Sequence, residues 1–232
     1  MVDDSKNLKD KIFAFKDLGM IGSADIIGAA ITGIFWLSIA LFLEVEEYGE
    51  IHYFIGIAGV VFVFALFGTQ HVITVYSAKK INVVSTLFFL SILTSLGVAL
   101  IVFTFYNQID ISFLLIGYTV NELALGYLIG KKLFSNYLKY VLTQRTLTFI
   151  LGFGFYFIFG TEGIIFALAL SYIHFSLLIY KGLKDSSINF SSLKAHSGFI
   201  TNNYVIAVVG GFRGNVDKVI IAPLLGFALL GN

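Results

Sequence analysis

Apolar residues in this chain come in long unbroken runs separated by short polar loops. The runs cover about Leu18–Leu43, Ile51–Tyr76, Ile81–Tyr106, Ile111–Ile129, Tyr140–Phe159 and Gly163–Tyr180, with a seventh at Asn203–Leu224. Within them apolar positions are continuous and do not alternate with polar ones at period two, so the pattern predicts helices and not the strands of a barrel. At 1.5 Å per residue each run covers roughly the 30 Å of a bilayer's hydrocarbon. Residues 1–17 differ: Asp3, Asp4, Lys6, Lys9, Asp10, Lys11, Lys16 and Asp17 surround Ile12, Phe13 and Phe15, the composition of a short interfacial helix. The first run is too long for a signal-peptide core and lacks a small-residue cleavage site, so it reads as a retained span.

Composition narrows the class. Of 232 residues, 58% are hydrophobic and 12% charged; a water-soluble domain carries about twice that charge. With no cysteine, the chain has neither disulfides nor a Cys-ligated metal. A net charge of +1 offers no field for nucleic acid. The expected fold is therefore an all-α polytopic membrane protein, a six-helix transmembrane bundle over 18–180 followed by a polar linker at 181–202 and a seventh helix within 203–232. The end of the chain, Gly231-Asn232, directly follows apolar Val219–Leu230, which reads as an incomplete protein: one bundle plus the first span of a second, with the C-terminal bundle missing.

The loops alternate in charge. Lysines of the N-terminal segment, Lys79 and Lys80, Lys131, Lys132 and Lys139, Arg145, and Lys181, Lys184 and Lys194 lie on one side; Glu44, Glu46, Glu47, Glu50, Asp110 and Glu162 lie on the other. Basic loops remain in the cytoplasm, so the N-terminus is expected inside the cell membrane. Tyr137 and Tyr140, among others near run ends, fit an aromatic belt.

Ionisable groups at membrane depth cost about 2.5–3.5 kcal/mol each on insertion scales. Asp25, Gln70, His71, Asn121, Glu122, Gln144, Arg145 and His174 come from five runs and fall roughly 8–15 Å above the inner face. A shared layer suggests a hydrated cavity open to the cytoplasm, with Asp25 and Glu122 as ion-coupling carboxylates for H+ or Na+. The competing account is mechanical. Gln70, Asn121 and Gln144 then tie helices by hydrogen bonds, Arg145 extends its long side chain to water at the rim, and His71 and His174 fit either account. In the seventh run Arg213 and Asp217 share a helix face and can pair; alternatively Arg213 and Lys218 offer positive charge to an anionic substrate. Gly210, Gly211 and Gly214, and Gly28-Ala29-Ala30 with Gly33, suit close helix packing.

No catalytic constellation is present: no metal-spaced His pair, no glycine-rich phosphate loop, no Gly-x-Ser-x-Gly elbow. The Glu44–Glu50 stretch reads as a solvated outer loop. The expectation is a protein that is not an enzyme and needs no cofactor or metal, with the lipid bilayer as its surroundings.

The stretch Gly33-Ile34-Phe35-Trp36-Leu37-Ser38-Ile39-Ala40, with Glu46-Glu47-Tyr48-Gly49 after it, resembles the first span and first outer loop of polysaccharide-biosynthesis flippases. These are the O-antigen-type members of the multidrug/oligosaccharidyl-lipid/polysaccharide exporter superfamily. Gly68-Thr69, Tyr76-Ser77-Ala78-Lys79, Gly130-Lys131-Lys132, Asn215-Val216-Asp217-Lys218-Val219-Ile220-Ile221, Gly226 and Leu230-Gly231-Asn232 extend the resemblance over nearly the whole chain. It implies the N-terminal half of a MATE-like transporter with two six-helix bundles, which moves a polyprenyl-diphosphate-linked oligosaccharide between leaflets by alternating access. The chain departs from the pattern at Leu41, where many members have a basic residue. A cation-coupled drug or metabolite exporter on the same fold is the alternative, and a membrane-embedded glycosyl- or acyltransferase a third.

Overall fold

The computed structural model describes residues 2–67 and 69–228, so Met1, Gly68 and Leu230-Gly231-Asn232 of the motifs above lie outside the described residues. Among these residues every regular element is helical. The helices are α1 (Val2–Ala40), α2 (Val45–Ala65), α3 (Gln70–Ala78), α4 (Val84–Tyr106), α5 (Ile109–Gly130), α6 (Phe134–Phe159), α7 (Glu162–Leu170), α8 (Ser176–Lys184), α9 (Phe190–Ala195) and α10 (Ser197–Leu225). Six segments are long and apolar enough to cross a membrane: Gly19–Ala40, Val45–Ala65, Val84–Tyr106, Ile109–Gly130, Phe134–Phe159 and Glu162–Lys184. The protein is thus a multi-pass, all-helical membrane protein by length and composition. The polar N-terminal segment does not form a separate helix; it continues into the first span as one 39-residue α1. α10 matches the spans in length but is not apolar enough to count with them, because Asn202, Asn203, Arg213, Asn215, Asp217 and Lys218 interrupt it.

Helix α5 is the axis of the bundle. It packs against α2, α3, α4, α6, α7 and α8, while α1 leans chiefly on α6, and α10 on α2. Two apolar cores lie along this axis. Near the basic loops, Leu87, Phe88, Leu123, Leu128 and Phe175 pack together; near the acidic loops, Phe35, Ile39, Leu114, Leu115 and Ile164 do so. In lipid such packing, and not expulsion of water, holds helices together. Helix α5 approaches α3 closely, and Gly126 and Gly130 permit it. A Cβ on Gly126 would lie 2.6 Å from the Gln70 carbonyl oxygen, and one on Gly130 2.6 Å from the Thr74 carbonyl oxygen. Thr74 Oγ1 uses this proximity to donate to the Gly126 carbonyl at 3.2 Å.

Two spans are broken. The run read as continuous over Ile51–Tyr76 stops at Ala65 and restarts at Gln70. Backbone groups freed inside a membrane must find partners, and here they do. Thr94 Oγ1 of α4 donates to the Ala65 carbonyl at 2.6 Å, Tyr204 Oη of α10 to the Phe64 carbonyl at 3.2 Å, and Thr69 Oγ1 accepts from Val72 N–H at 3.3 Å. The sixth span breaks between α7 and α8 through a 3-10 turn at Ile173–Phe175. There Ser171 Oγ receives Gln144 Nε2 at 3.0 Å, and itself donates to the Leu168 carbonyl at 2.6 Å.

Both Lys-Lys loops close in the same way. Lys80 and Lys132 take positive φ of 54° and 58°. Beyond them, Ile81 N–H reaches Tyr76 O at 3.0 Å and Leu133 N–H reaches Leu128 O at 2.9 Å. This is the Schellman closure, with lysine where glycine is usual.

Segment 181–202, expected as a linker, is fastened to the bundle. Asp185 takes both Lys131 Nζ at 2.8 Å and Tyr127 Oη at 3.1 Å. Ser85 Oγ donates to Gly182 O at 2.8 Å and accepts from Ser186 N–H at 2.9 Å, and Asn189 N–H donates to Thr86 Oγ1 at 2.8 Å. Its polar residues serve as partners for the start of α4 and the end of α5.

Candidate functional site

Helix α3 begins inside the membrane-spanning body, and its first N–H groups face α5. The Gln70 N–H lies near enough to the carboxylate of Glu122 to act on it electrostatically. Glu122 stands four residues before Gly126 on the face of α5 that α3 approaches, so the glycine contact places the carboxylate at the helix start. Four N–H groups at a helix start lack intrahelical partners and carry partial positive charge. Glu122 thus stands beside the break in the second span, which hydropathy along the chain does not reveal.

Around Glu122 the structure gathers part of the expected polar layer. Asp25 of α1 accepts a 3.0 Å hydrogen bond from Tyr137 Oη of α6. Tyr137 is 5% exposed, so it is an interior partner and not the belt tyrosine that its position near a run end suggested. Arg145, two turns further along α6, lies along α1 where Gly28 leaves room: a Cβ there would be 3.3 Å from Arg145 Cγ. Its guanidinium is close enough to act electrostatically on the hydroxyls of Tyr118, Tyr137 and Tyr172, and Glu122 acts on those of Tyr137 and Tyr172. Arg145 Nε is buried with no hydrogen-bond partner. Asn121, beside Glu122, is partly buried. The set thus comprises two acids, one guanidinium and three phenols drawn from α1, α5, α6 and the end of the seventh helix.

Other expected residues stand apart. Gln144 is 4% exposed and bonds Thr148 Oγ1 and Ser171 Oγ, each at 3.0 Å, tying α6 to the break in the sixth span. His174 sits in that break. Its Nδ1 lies 2.9 Å from Ser171 O and its Nε2 3.0 Å from Tyr140 O, and its ring contacts those of Tyr140 and Phe175. His71 is exposed on α3, with its ring 6.0 Å from that of Phe199.

On α10, Arg213 and Asp217 are both exposed, and among the described residues the one ion pair is Lys131–Asp185. Lys218 is partly buried and lies over Gly56 of α2, where a Cβ would meet Lys218 Cβ at 2.9 Å. Its charge reaches His52.

A second polar region lies at the opposite end of the bundle. Glu47, Glu50, Gln108, Asp110 and Glu162 line a cleft of about 140 Å³. Among the described residues no three His, Asp or Glu side chains converge as a metal site. Neither this cleft nor the larger apolar one between α5 and the sixth span is lined by Asp25, Glu122 or Arg145. Within the polar layer the Tyr137–Asp25 hydrogen bond joins α6 to α1.

Three residues of the layer escaped the sequence reading: Tyr118, Tyr172 and, in this role, Tyr137. Tyrosine counts as apolar in a run, and only its hydroxyl's partner distinguishes an anchor from an interior donor. For the α3 start a signal existed, since Thr69 followed by a helical stretch is an N-cap pattern. Comparison with known protein families, with curated proteins and with solved structures finds no match to this chain.

Proposed function

We propose that this chain is part of a membrane transporter that flips polyprenyl-diphosphate-linked oligosaccharide across the cytoplasmic membrane by alternating access, with its N-terminus inside. The observation that carries the transporter reading is the start of α3 within the membrane-spanning bundle, with Glu122 beside it and Asp25, Tyr137 and Arg145 as neighbours. A bundle serving only as an anchor gains nothing from two acids and a guanidinium that each cost about 2.5–3.5 kcal/mol to insert. Broken helices with charged neighbours are a common construction for translocation sites, because freed backbone groups and side chains there replace water around a polar cargo. The substrate class rests on the resemblance of the motif string, and Arg213 and Lys218 of α10 are the groups assigned to its diphosphate. No bond is made or broken; the barrier lowered is passage of a charged sugar head through hydrocarbon.

Deletion of the full-length gene tests this reading. Surface glycan should be lost and lipid-linked oligosaccharide should accumulate in the inner leaflet, with rescue by the wild-type gene. Unchanged surface glycan overturns it.

The Asp25–Tyr137 pair and Glu122 favour a second reading, a cation-coupled exporter of small amphiphiles. On that reading Asp25→Asn and Glu122→Gln each abolish ion-dependent efflux while glycan export is unaffected.

A further inference from the structure

An apolar cleft lies beside the polar layer and meets it at Tyr172. It has a volume of about 440 Å³ and lies between α5 and the broken sixth span, bounded by Phe113, Gly117 and Val120 on one side and Phe166, Tyr172 and Ser176 on the other. Every lining residue belongs to the two membrane-crossing segments Ile109–Gly130 and Glu162–Lys184. The cleft opens to the outside of the bundle: Phe113, Phe166 and Ile173 are large apolar side chains exposed at its rim. At one end the rings of Phe113 and Phe166 meet edge to face at 6.0 Å and close it.

Its chemistry restricts the occupant. A stable water needs two to four polar partners, and this wall offers only the hydroxyls of Tyr172 and Ser176. A polar ligand would be left unsatisfied for the same reason. An empty cleft forfeits the dispersion contacts that its walls would make. Its lining extends along both membrane-crossing segments. The lining runs from Phe113 to Val120 on α5, about 10 Å, and from Phe166 to Ile179 on the sixth span, about 20 Å, against about 15 Å for the hydrocarbon of one leaflet. The surrounding solvent at this depth is hydrocarbon at very high concentration, so even weak affinity fills the site by mass action.

We propose that this cleft is a binding site for one acyl chain of a bilayer phospholipid, seated between α5 and the break in the sixth span. It shares Tyr172 with the polar layer.

Two measurements test it. Wild-type protein in nanodiscs of phosphatidylcholine, doped with phosphatidylcholine carrying a diazirine on one acyl chain, is irradiated and the adducts are mapped. Adducts should be several-fold enriched on residues 113–120 and 166–179 over residues 96–105 of α4, whose Leu96, Leu100 and Phe105 are equally lipid-exposed. Even labelling of the two regions overturns the proposal. Native mass spectrometry of detergent-purified protein supplies the second reading. Wild type and Leu100→Trp should retain one phospholipid more than Val120→Trp and Ala169→Leu, which fill the cleft. Equal retention by a folded filling variant, retention of a prenyl lipid in place of phospholipid, or a dimer that either filling variant dissociates would each overturn it.

Discussion

Replacing Gly126 by alanine places a methyl group 2.6 Å from the Gln70 carbonyl oxygen and 3.0 Å from Ile73 Cβ. The first obstacle is backbone, which no rotamer change can move aside. Either α3 shifts away from α5 or the contact remains compressed; overpacking of this kind costs about 1–3 kcal/mol. A shift also lengthens the 3.2 Å Thr74–Gly126 hydrogen bond and the Gln70–Glu122 contact, and a side-chain hydrogen bond in a membrane interior is worth about 0.6 kcal/mol. Against this, alanine is better than glycine in a helix by about 0.8–1 kcal/mol. The net expectation is a loss of about 1–3 kcal/mol. Gly97 of α4 is the control, because a Cβ there meets nothing within 4 Å. Gly97→Ala retains only the helix-propensity gain, so the two variants should move in opposite directions. Reversible unfolding in mixed detergent micelles, followed by helical circular dichroism, gives both free energies. If Gly126→Ala is as stable as Gly97→Ala, the α3–α5 approach is not as close as described, and the placement of Glu122 at the α3 start fails with it.

Three further outcomes follow from the same contacts. Glu122→Gln keeps a polar group beside the α3 start and should leave stability almost unchanged, whereas Glu122→Leu removes it and should cost about 0.6 kcal/mol in the same unfolding assay. A double-mutant cycle of Asp25→Ala with Tyr137→Phe should show a coupling of about 0.6 kcal/mol, and not above about 1.7, if their 3.0 Å hydrogen bond joins α1 to α6; zero coupling counts against it. Lys132→Gly should stabilise the protein by about 1 kcal/mol by relieving its φ of 58°, while Lys139→Gly, inside α6, should destabilise it by a similar amount.

The loop chemistry illustrates how far local patterns reach. Runs such as Val84–Tyr106 and Ile109–Gly130 coincide with sequence-based limits to within a few residues, because both helix formation and membrane crossing depend on sums over neighbours in the chain. The break at 66–69 was hidden for the same reason: Leu66 and Phe67 keep the local average apolar, and the interruption becomes tolerable only because Thr94 and Tyr204, from other helices, take the freed carbonyls. Segment 181–202 looked like a tether because it is polar, yet its polar groups match those of Ser85, Thr86, Tyr127 and Lys131.

For the polar layer, the chain alone gives depth. Asp25, Glu122 and Arg145 can be counted from the basic loops at 1.5 Å per residue. It does not give azimuth. Whether two residues at one depth meet depends on how each helix is rotated and which helices are neighbours. That is decided by side-chain interlocking, such as Gly126 and Gly130 receiving α3, or Gly28 receiving Arg145. Thus the amino-acid sequence by itself determined that the chain is helical, apolar and multi-pass. Only the tertiary structure decided that α5 is central, that Glu122 stands beside the start of α3, that Tyr137 faces Asp25 and that His71 and Arg213 lie outside. Hydrophobicity is a property of each residue and adds along the chain; a partner exists only once distant segments have packed.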